Sequence, residues 1–78
     1  MWEVIGFERQ KNDLGETTAF TVYAVKPFKG DAGAGSKARR IWYRASEIDY
    51  VPMLGDSIIV DTETRGKYEV VTDIQKVA

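Results

Sequence analysis

The chain has 78 residues, enough for one small domain, and its 44% hydrophobic and 29% charged residues are typical of a globular protein. It contains no cysteine and no histidine, which excludes disulfides, thiolate metal sites and histidine-based acid–base catalysis. A net charge of -1 argues against a polyanionic partner until the distribution of the charge is considered.

The N-terminal stretch WEVIGFERQ is rich in β-branched and aromatic residues and predicts a first strand, which the turn-forming cluster NDLG ends. It carries acids and no long apolar run, so we do not expect a signal peptide. No segment approaches the roughly 20 apolar residues that cross a bilayer. We therefore expect a cytoplasmic protein with no contact to a membrane.

The rest of the chain keeps a period of two rather than 3.6, which indicates further strands. In chain order they are TAFTVYAV, RRIWYRA, SIIVDTE and KYEVVTDIQKV. Pro27 ends the second strand, and Arg65-Gly66 joins the last two tightly. SEIDYVPMLGD is the one candidate for a short helix or turn, and Pro52 and Gly55 keep it brief.

Five short strands in a single domain over residues 1–78 predict an all-β fold that protects its sheet edges as a small barrel. The long connection between strands three and four favours the oligonucleotide/oligosaccharide-binding (OB) type, reduced to little or no helix. An SH3-like barrel is the alternative.

The segment between strands two and three is rich in glycine and alanine, and we predict a flexible loop at residues 29–37. Gly30 and Gly35 have the separation of a phosphate-binding P-loop, but Ser36-Lys37 stands in reversed order and a strand follows instead of a helix. A nucleotide hydrolase is therefore excluded. Two readings stay open, an arm that closes over an extended polyanion and a hairpin connection without function.

Basic residues surround this loop. From Lys26 to Arg44 there are six bases and one acid, Asp31, so this window carries +5 and the remainder of the chain -6. A local patch of this kind sets the field that a polyanion meets, although a charged strand face can also be simply solvated.

Strand three places Arg40, Trp42 and Arg44 on one face by its two-residue period, and Tyr43 on the other, core face. Cations that bind phosphates beside an aromatic plane under a base are the usual means of binding single strands without sequence preference. The alternative for Trp42 is a core or interface indole. The predicted nucleic-acid-binding residues are Tyr23, Lys26, Phe28, Lys29, Lys37, Arg39, Arg40, Trp42 and Arg44.

The carboxylates of the last two strands, Asp61, Glu63, Glu69 and Asp73, are of the type that binds hard cations, but they are better explained as a solvated acidic face. The serines have no recognisable base partner. We expect no metal, no cofactor and no enzymatic activity.

Three stretches, WEVIGFERQ, FTVYAVKP and YVPMLGDSIIVDTETRGKYEVVTDI, resemble small single-stranded-DNA-binding proteins of phages and plasmids of Gram-positive bacteria. The resemblance implies an OB-like fold related in plan to the gene V protein of filamentous phages, and non-specific coating of exposed strands during replication or recombination. It also implies that the glycine loop and strand three face the DNA. In the family the hairpin between strands four and five carries aromatic and basic residues, whereas DTETRGK here mixes acids with Arg65 and Lys67.

The first strand also bears on assembly. Trp2 and Val4 alternate with Ile5 and Phe7, so bulky residues are expected on both faces, more than one small core buries; this predicts a homodimer. Single-stranded DNA is the predicted partner, with RNA left open. Two rival functions remain: an SH3-like protein-interaction module whose groove is lined by Trp42, Tyr43 and Tyr50, and a structural subunit of a phage or plasmid assembly.

Overall fold

The computed structural model describes residues 1–27 and 33–77, and these form five strands. The strands are β1 Trp2–Lys11, β2 Thr17–Pro27, β3 Ser36–Arg44, β4 Ser57–Arg65 and β5 Tyr68–Val77. The predicted all-β class with five strands is confirmed, and β3 begins at Ser36, so it includes the last two residues of the predicted loop. Within the described part of the chain there is no helix long and apolar enough to span a membrane.

All neighbouring strands are antiparallel, in the order β3-β2-β1-β4-β5. β1 pairs with β2 along most of its length but with β4 only at its start, through Trp2–Ile58 and Glu3–Ser57. The chain crosses from the β3 edge to the other side of β1 before β4, as in a Greek key. This plan is consistent with the predicted small OB-like or SH3-like barrel, although no ladder joins β3 and β5 in the described residues and the sheet is not closed.

The core lies on the inner face of the curled sheet. Alternate residues of each strand enter it, as a period of two requires. Val22 on β2, Ile41 on β3 and Ile58 on β4 are at most 1% exposed. Tyr43 is also buried and contacts the ring of Phe20 at 5.5 Å between centroids, which confirms its predicted place in the core.

A β-bulge in β1 changes which residues of this strand face inward. The pairing with β2 shifts between Val4 and Gly6, so Phe7 follows Val4 onto the core side and both pack with Trp2. Ile5 remains exposed. The expectation that Phe7 faces away from Trp2 and Val4 is therefore wrong, because alternation does not continue across a bulge. Homodimer formation stays a prediction, with less apolar surface in its support.

The connection from β3 to β4 is a turn rather than a helix. The backbone N–H of Asp56 donates to the carbonyl of Met53 at 3.2 Å, and Gly55 has φ of 87°, the value that a type II turn needs at its third residue. Two further backbone bonds of 2.9 Å join Val4 to Gly55 and Asp56. The connection is thus fixed to the start of β1.

A buried hydrogen-bond network fixes the same connection to β3 and β5. The hydroxyl of Tyr43 donates to the carbonyl of Tyr50 at 2.7 Å, and the hydroxyl of Tyr50 donates to Oδ2 of Asp56 at 2.6 Å. The N–H of Met53 donates to the same oxygen at 3.2 Å, and Nζ of Lys76 lies 3.4 Å from Oδ1. Every buried polar side-chain atom among the described residues has a partner.

These contacts change the acidity of the groups involved. Burial raises the pKa of Tyr43, and burial together with the bond to Asp56 raises the pKa of Tyr50. The Tyr50 hydroxyl, followed by the charge of Lys76, lowers the pKa of the Asp56 carboxyl. The ionised carboxylate and the neutral phenols are the forms that the folded protein stabilises.

Candidate nucleic-acid interface

The β2–β3 ladder brings four of the predicted residues onto one outer surface. Tyr23 is paired with Arg40, while Trp42 and Arg44 stand opposite Thr21 and Ala19. We call the outer surface made by Tyr23, Arg40, Trp42 and Arg44 the stacking face. The predicted placement of Arg40, Trp42 and Arg44 on one face is confirmed, and all three are exposed.

Trp42 lies across the sheet instead of standing away from it. Its indole N–H donates to Oε1 of Gln10 on β1 at 3.3 Å, so the two side chains meet above β2, the strand between them. This position explains why Thr21, on the outer surface of β2, is only 3% exposed. Trp42 itself is 45% exposed, which leaves part of an indole anchored at its N–H accessible to solvent.

The guanidinium of Arg44, on the same face as this indole, is held weakly. Arg44 lies 3.9 Å from Glu47, and both side chains are more than 60% exposed. An ion pair so open to water contributes about 0–1 kcal/mol. Arg44 is therefore able to exchange its carboxylate for a phosphate at little cost.

Tyr23 completes the stacking face. Its ring packs beside Gly6, where an added Cβ would lie 3.7 Å from Cδ2 of the ring. Its hydroxyl donates to Oε1 of Glu8 at 3.3 Å. Tyr23, on β2, is half-buried against Gly6 and Glu8 of β1, so it offers less surface for stacking than Trp42.

The remaining predicted residues do not lie on this face. Lys26 pairs with Lys37, and Arg39 pairs with Ala24, so by alternation all three belong to the inner surface. Phe28 and Lys29 lie outside the described residues. The predicted site is therefore divided between the two surfaces of the β2–β3 hairpin.

Two of the inner basic residues, Lys26 and Arg39, contact the indole of Trp2, which the sequence did not predict to be part of the site. Nζ of Lys26 lies 4.5 Å from the centroid of the Trp2 ring, and Cζ of Arg39 lies 5.8 Å from it. Both distances are within the range of cation–π interaction. Trp2 is on β1, Lys26 is on β2 and Arg39 is on β3. These residues meet because of the register between the strands, which cannot be predicted from local sequence patterns.

Another aromatic residue was overlooked at the β4–β5 hairpin. Tyr68 is exposed and pairs with Arg65 at the tip of the hairpin. The guanidinium of Arg65 lies 3.5 Å from Glu63. This hairpin therefore has an exposed aromatic ring, Tyr68, and a cation, Arg65, next to the acidic residue Glu63.

The unpaired edges of the sheet leave a cleft of about 450 Å³ between β3 and β5. Nη2 of Arg39 reaches across it to Oε1 of Glu69 at 3.2 Å. The lining residues are Arg39, Arg40, Trp42, Tyr43, Glu47, Glu69, Val70 and Val71. The cleft therefore opens directly beside the stacking face.

The groove of the rival protein-interaction hypothesis has only part of its predicted lining among the described residues, because Trp42 and Tyr43 line the cleft and Tyr50 does not; that function stays a prediction. Tyr43 is buried, and Tyr50 is half-buried with its hydroxyl bonded to Asp56. Only Trp42 of that predicted trio is exposed.

Four of the twelve acidic residues lie on β4 and β5: Asp61, Glu63, Glu69 and Asp73. Asp61 and Asp73 stand directly opposite each other. Within residues 1–27 and 33–77 there is no group of three potential ligands that could hold a metal ion. The sequence of the β2–β3 hairpin has six bases and one acid, whereas that of the β4–β5 hairpin has three bases and four acids and is nearly neutral.

Searches of protein-family models, curated proteins and solved structures found no significant match to this chain.

Proposed function

We propose that this protein binds single-stranded nucleic acid without sequence preference. The observation that carries the proposal is a half-exposed indole, Trp42, between the exposed guanidinium groups of Arg40 and Arg44 on one sheet surface. A base stacks on the indole, and the two arginines contact the phosphates on either side. Every base has a π-face, so such stacking tolerates any sequence.

The arrangement suits a single strand better than a duplex. Bases in a duplex are stacked on one another, and their faces are closed to a side chain. Trp42 lies along the sheet with its N–H bonded to Gln10, so it does not project as a wedge between base pairs. A strand with unstacked bases is the polyanion that uses both the ring and the cations.

The resemblance noted in the sequence extends the proposal to single-stranded DNA in replication or recombination, in a phage or plasmid setting in the bacterial cytoplasm. A homodimer would double the length of strand covered. Lys26, Lys37 and Arg39 would extend the basic track onto the inner surface.

Fluorescence anisotropy of labelled oligo-dT and of a duplex of equal length, at about 50 and 200 mM salt, tests the proposal. We expect tighter binding of the single strand. If Arg40 and Arg44 each contact one phosphate, log K should fall with log salt concentration with a slope of about -1.4 or steeper for a single strand. Equal affinity for both nucleic acids, or binding indifferent to salt, would contradict the proposal.

Arg65 provides a matched control for Arg44. The two side chains are 66% and 64% exposed, and each is paired with a glutamate. Arg44→Ala should reduce the steepness of the salt dependence by about 0.7, the value of one phosphate contact. Arg65→Ala removes the same charge from the β4–β5 hairpin, away from the stacking face, and should leave the slope unchanged.

A further inference from the structure

The cleft between β3 and β5 has cations on one wall and a carboxylate on the other. Arg39 and Arg40 line it from consecutive positions of β3, and Glu69, Val70 and Val71 line it from β5. Consecutive residues of a strand point to opposite faces. Two guanidiniums from opposite faces meet one cleft here because β3 is an edge strand, and the cleft lies along that edge.

An anion already contacts one of these guanidiniums. Oε1 of Glu69 lies 3.2 Å from Nη2 of Arg39, and the Trp2 ring supports the same guanidinium at 5.8 Å. Glu69 is 58% exposed, so water competes for its charge and the ion pair is weak. The planar guanidinium of an arginine donates two hydrogen bonds to a phosphate in the same geometry in which it donates them to a carboxylate.

We propose, on the basis of the function inferred above, that this cleft is a phosphate subsite and that Glu69 competes with the phosphate for Arg39. A backbone phosphate of the bound strand enters between Arg39 and Arg40 and replaces the carboxylate. Trp42 lines the same cleft, so the next base of the strand is within reach of the indole. Without nucleic acid, this weak ion pair bridges β3 and β5 across the cleft.

The test measures the affinity of the full chain for labelled oligo-dT at about 50 mM salt after Glu69→Gln. Removal of the competing carboxylate should tighten binding about two- to fivefold, the range expected for an exposed ion pair. Glu63→Gln is the matched control, because Glu63 is also 58% exposed and is paired with an arginine, Arg65, away from the cleft. It should change the affinity less than Glu69→Gln does.

Arg39→Ala separates a phosphate contact from a general charge effect. On its own it should weaken binding and reduce the steepness of the salt dependence by about 0.7. In the Arg39→Ala background, Glu69→Gln should no longer tighten binding, because Glu69 then has no ion pair with Arg39 for the phosphate to displace. Thermal unfolding of each variant confirms that the compared proteins are folded.

The outcomes separate this proposal from the one on which it rests. If the wild-type protein binds oligo-dT but Glu69→Gln and Glu63→Gln have equal effects, the competition at Arg39 is wrong and the proposed function stands. The competition at Arg39 is also wrong, and the proposed function still stands, if Glu69→Gln weakens binding. The conclusion is the same if Glu69→Gln still tightens binding in the Arg39→Ala background. If the wild-type protein does not bind oligo-dT at all, both proposals fail.

Discussion

The two faces of β3 differ in every property that matters to the account. The inner residues Ile41 and Tyr43 are buried, and the hydroxyl of Tyr43 is bonded to the loop that leads to β4. The outer residues Arg40, Trp42 and Arg44 are exposed, and their polar contacts are long or solvated. One alternating sequence thus supplies both the fold and the proposed binding surface, so stability and binding should respond to different positions of one strand.

The largest effect is expected on the inner face. Ile41→Ala removes a side chain that is fully enclosed, and such a change costs about 2–5 kcal/mol in the free energy of unfolding. This is a large fraction of the roughly 5–15 kcal/mol that small domains possess. Urea denaturation followed by circular dichroism measures the loss.

Ile59→Ala serves as the control for this substitution. Ile59 is an exposed isoleucine of β4, so the same truncation should cost far less. Equal losses of unfolding free energy for Ile41→Ala and Ile59→Ala would contradict the assignment of a buried face to Ile41 and an exposed face to Ile59.

The second effect concerns binding rather than stability. Trp42→Ala should weaken single-strand binding by about 1–3 kcal/mol, the contribution of one stacked base, while Trp42→Phe keeps part of it. Its unfolding free energy should fall less than that of Ile41→Ala, because Trp42 is half-exposed. A variant that loses stability as Ile41→Ala does, and binds normally, would reverse the roles of the two faces.

A smaller effect is expected where the inner face meets the loop. Tyr43→Phe keeps the ring but removes the hydrogen bond of 2.7 Å to the carbonyl of Tyr50. One such bond contributes about 0.5–1.5 kcal/mol to stability. Urea denaturation should show this loss, and anisotropy titrations should show unchanged affinity for oligo-dT.

The smallest effect is a dependence of stability on pH that belongs to the inner network alone. The pKa of Asp56 is lower in the folded protein than its unfolded value of about 3.9. The ionised carboxylate therefore stabilises the fold fully above that value, and its contribution is lost as the pH falls through the folded pKa. The difference in stability between the wild-type protein and Asp56→Asn should narrow below about pH 4; a difference that widens there would contradict the network.

The sequence predicts the strands and the faces of β3 well because both follow from local alternation. Tyr43 and Trp42 are neighbours, and their different burial needs no knowledge of the rest of the chain. The bulge at Gly6 is different, since it changes the facing of Phe7 without a break in the apolar pattern.

The division of the predicted site has the same origin. Lys26, Arg39 and Arg40 are close in sequence, but alternation sends the first two to the inner surface. The partners they meet there, Trp2 and Glu69, come from distant strands. Register between strands depends on packing across the whole sheet, and so these contacts become visible only in three dimensions.

The fluorescence of Trp42 tests the central claim most directly. Trp2→Phe leaves Trp42 as the single tryptophan of the chain, so its emission reports on the stacking face alone. Oligo-dT should quench this emission, and added salt should restore it. Emission that stays constant while anisotropy shows the strand to be bound would mean that no base stacks on Trp42, and the proposed interface would be wrong.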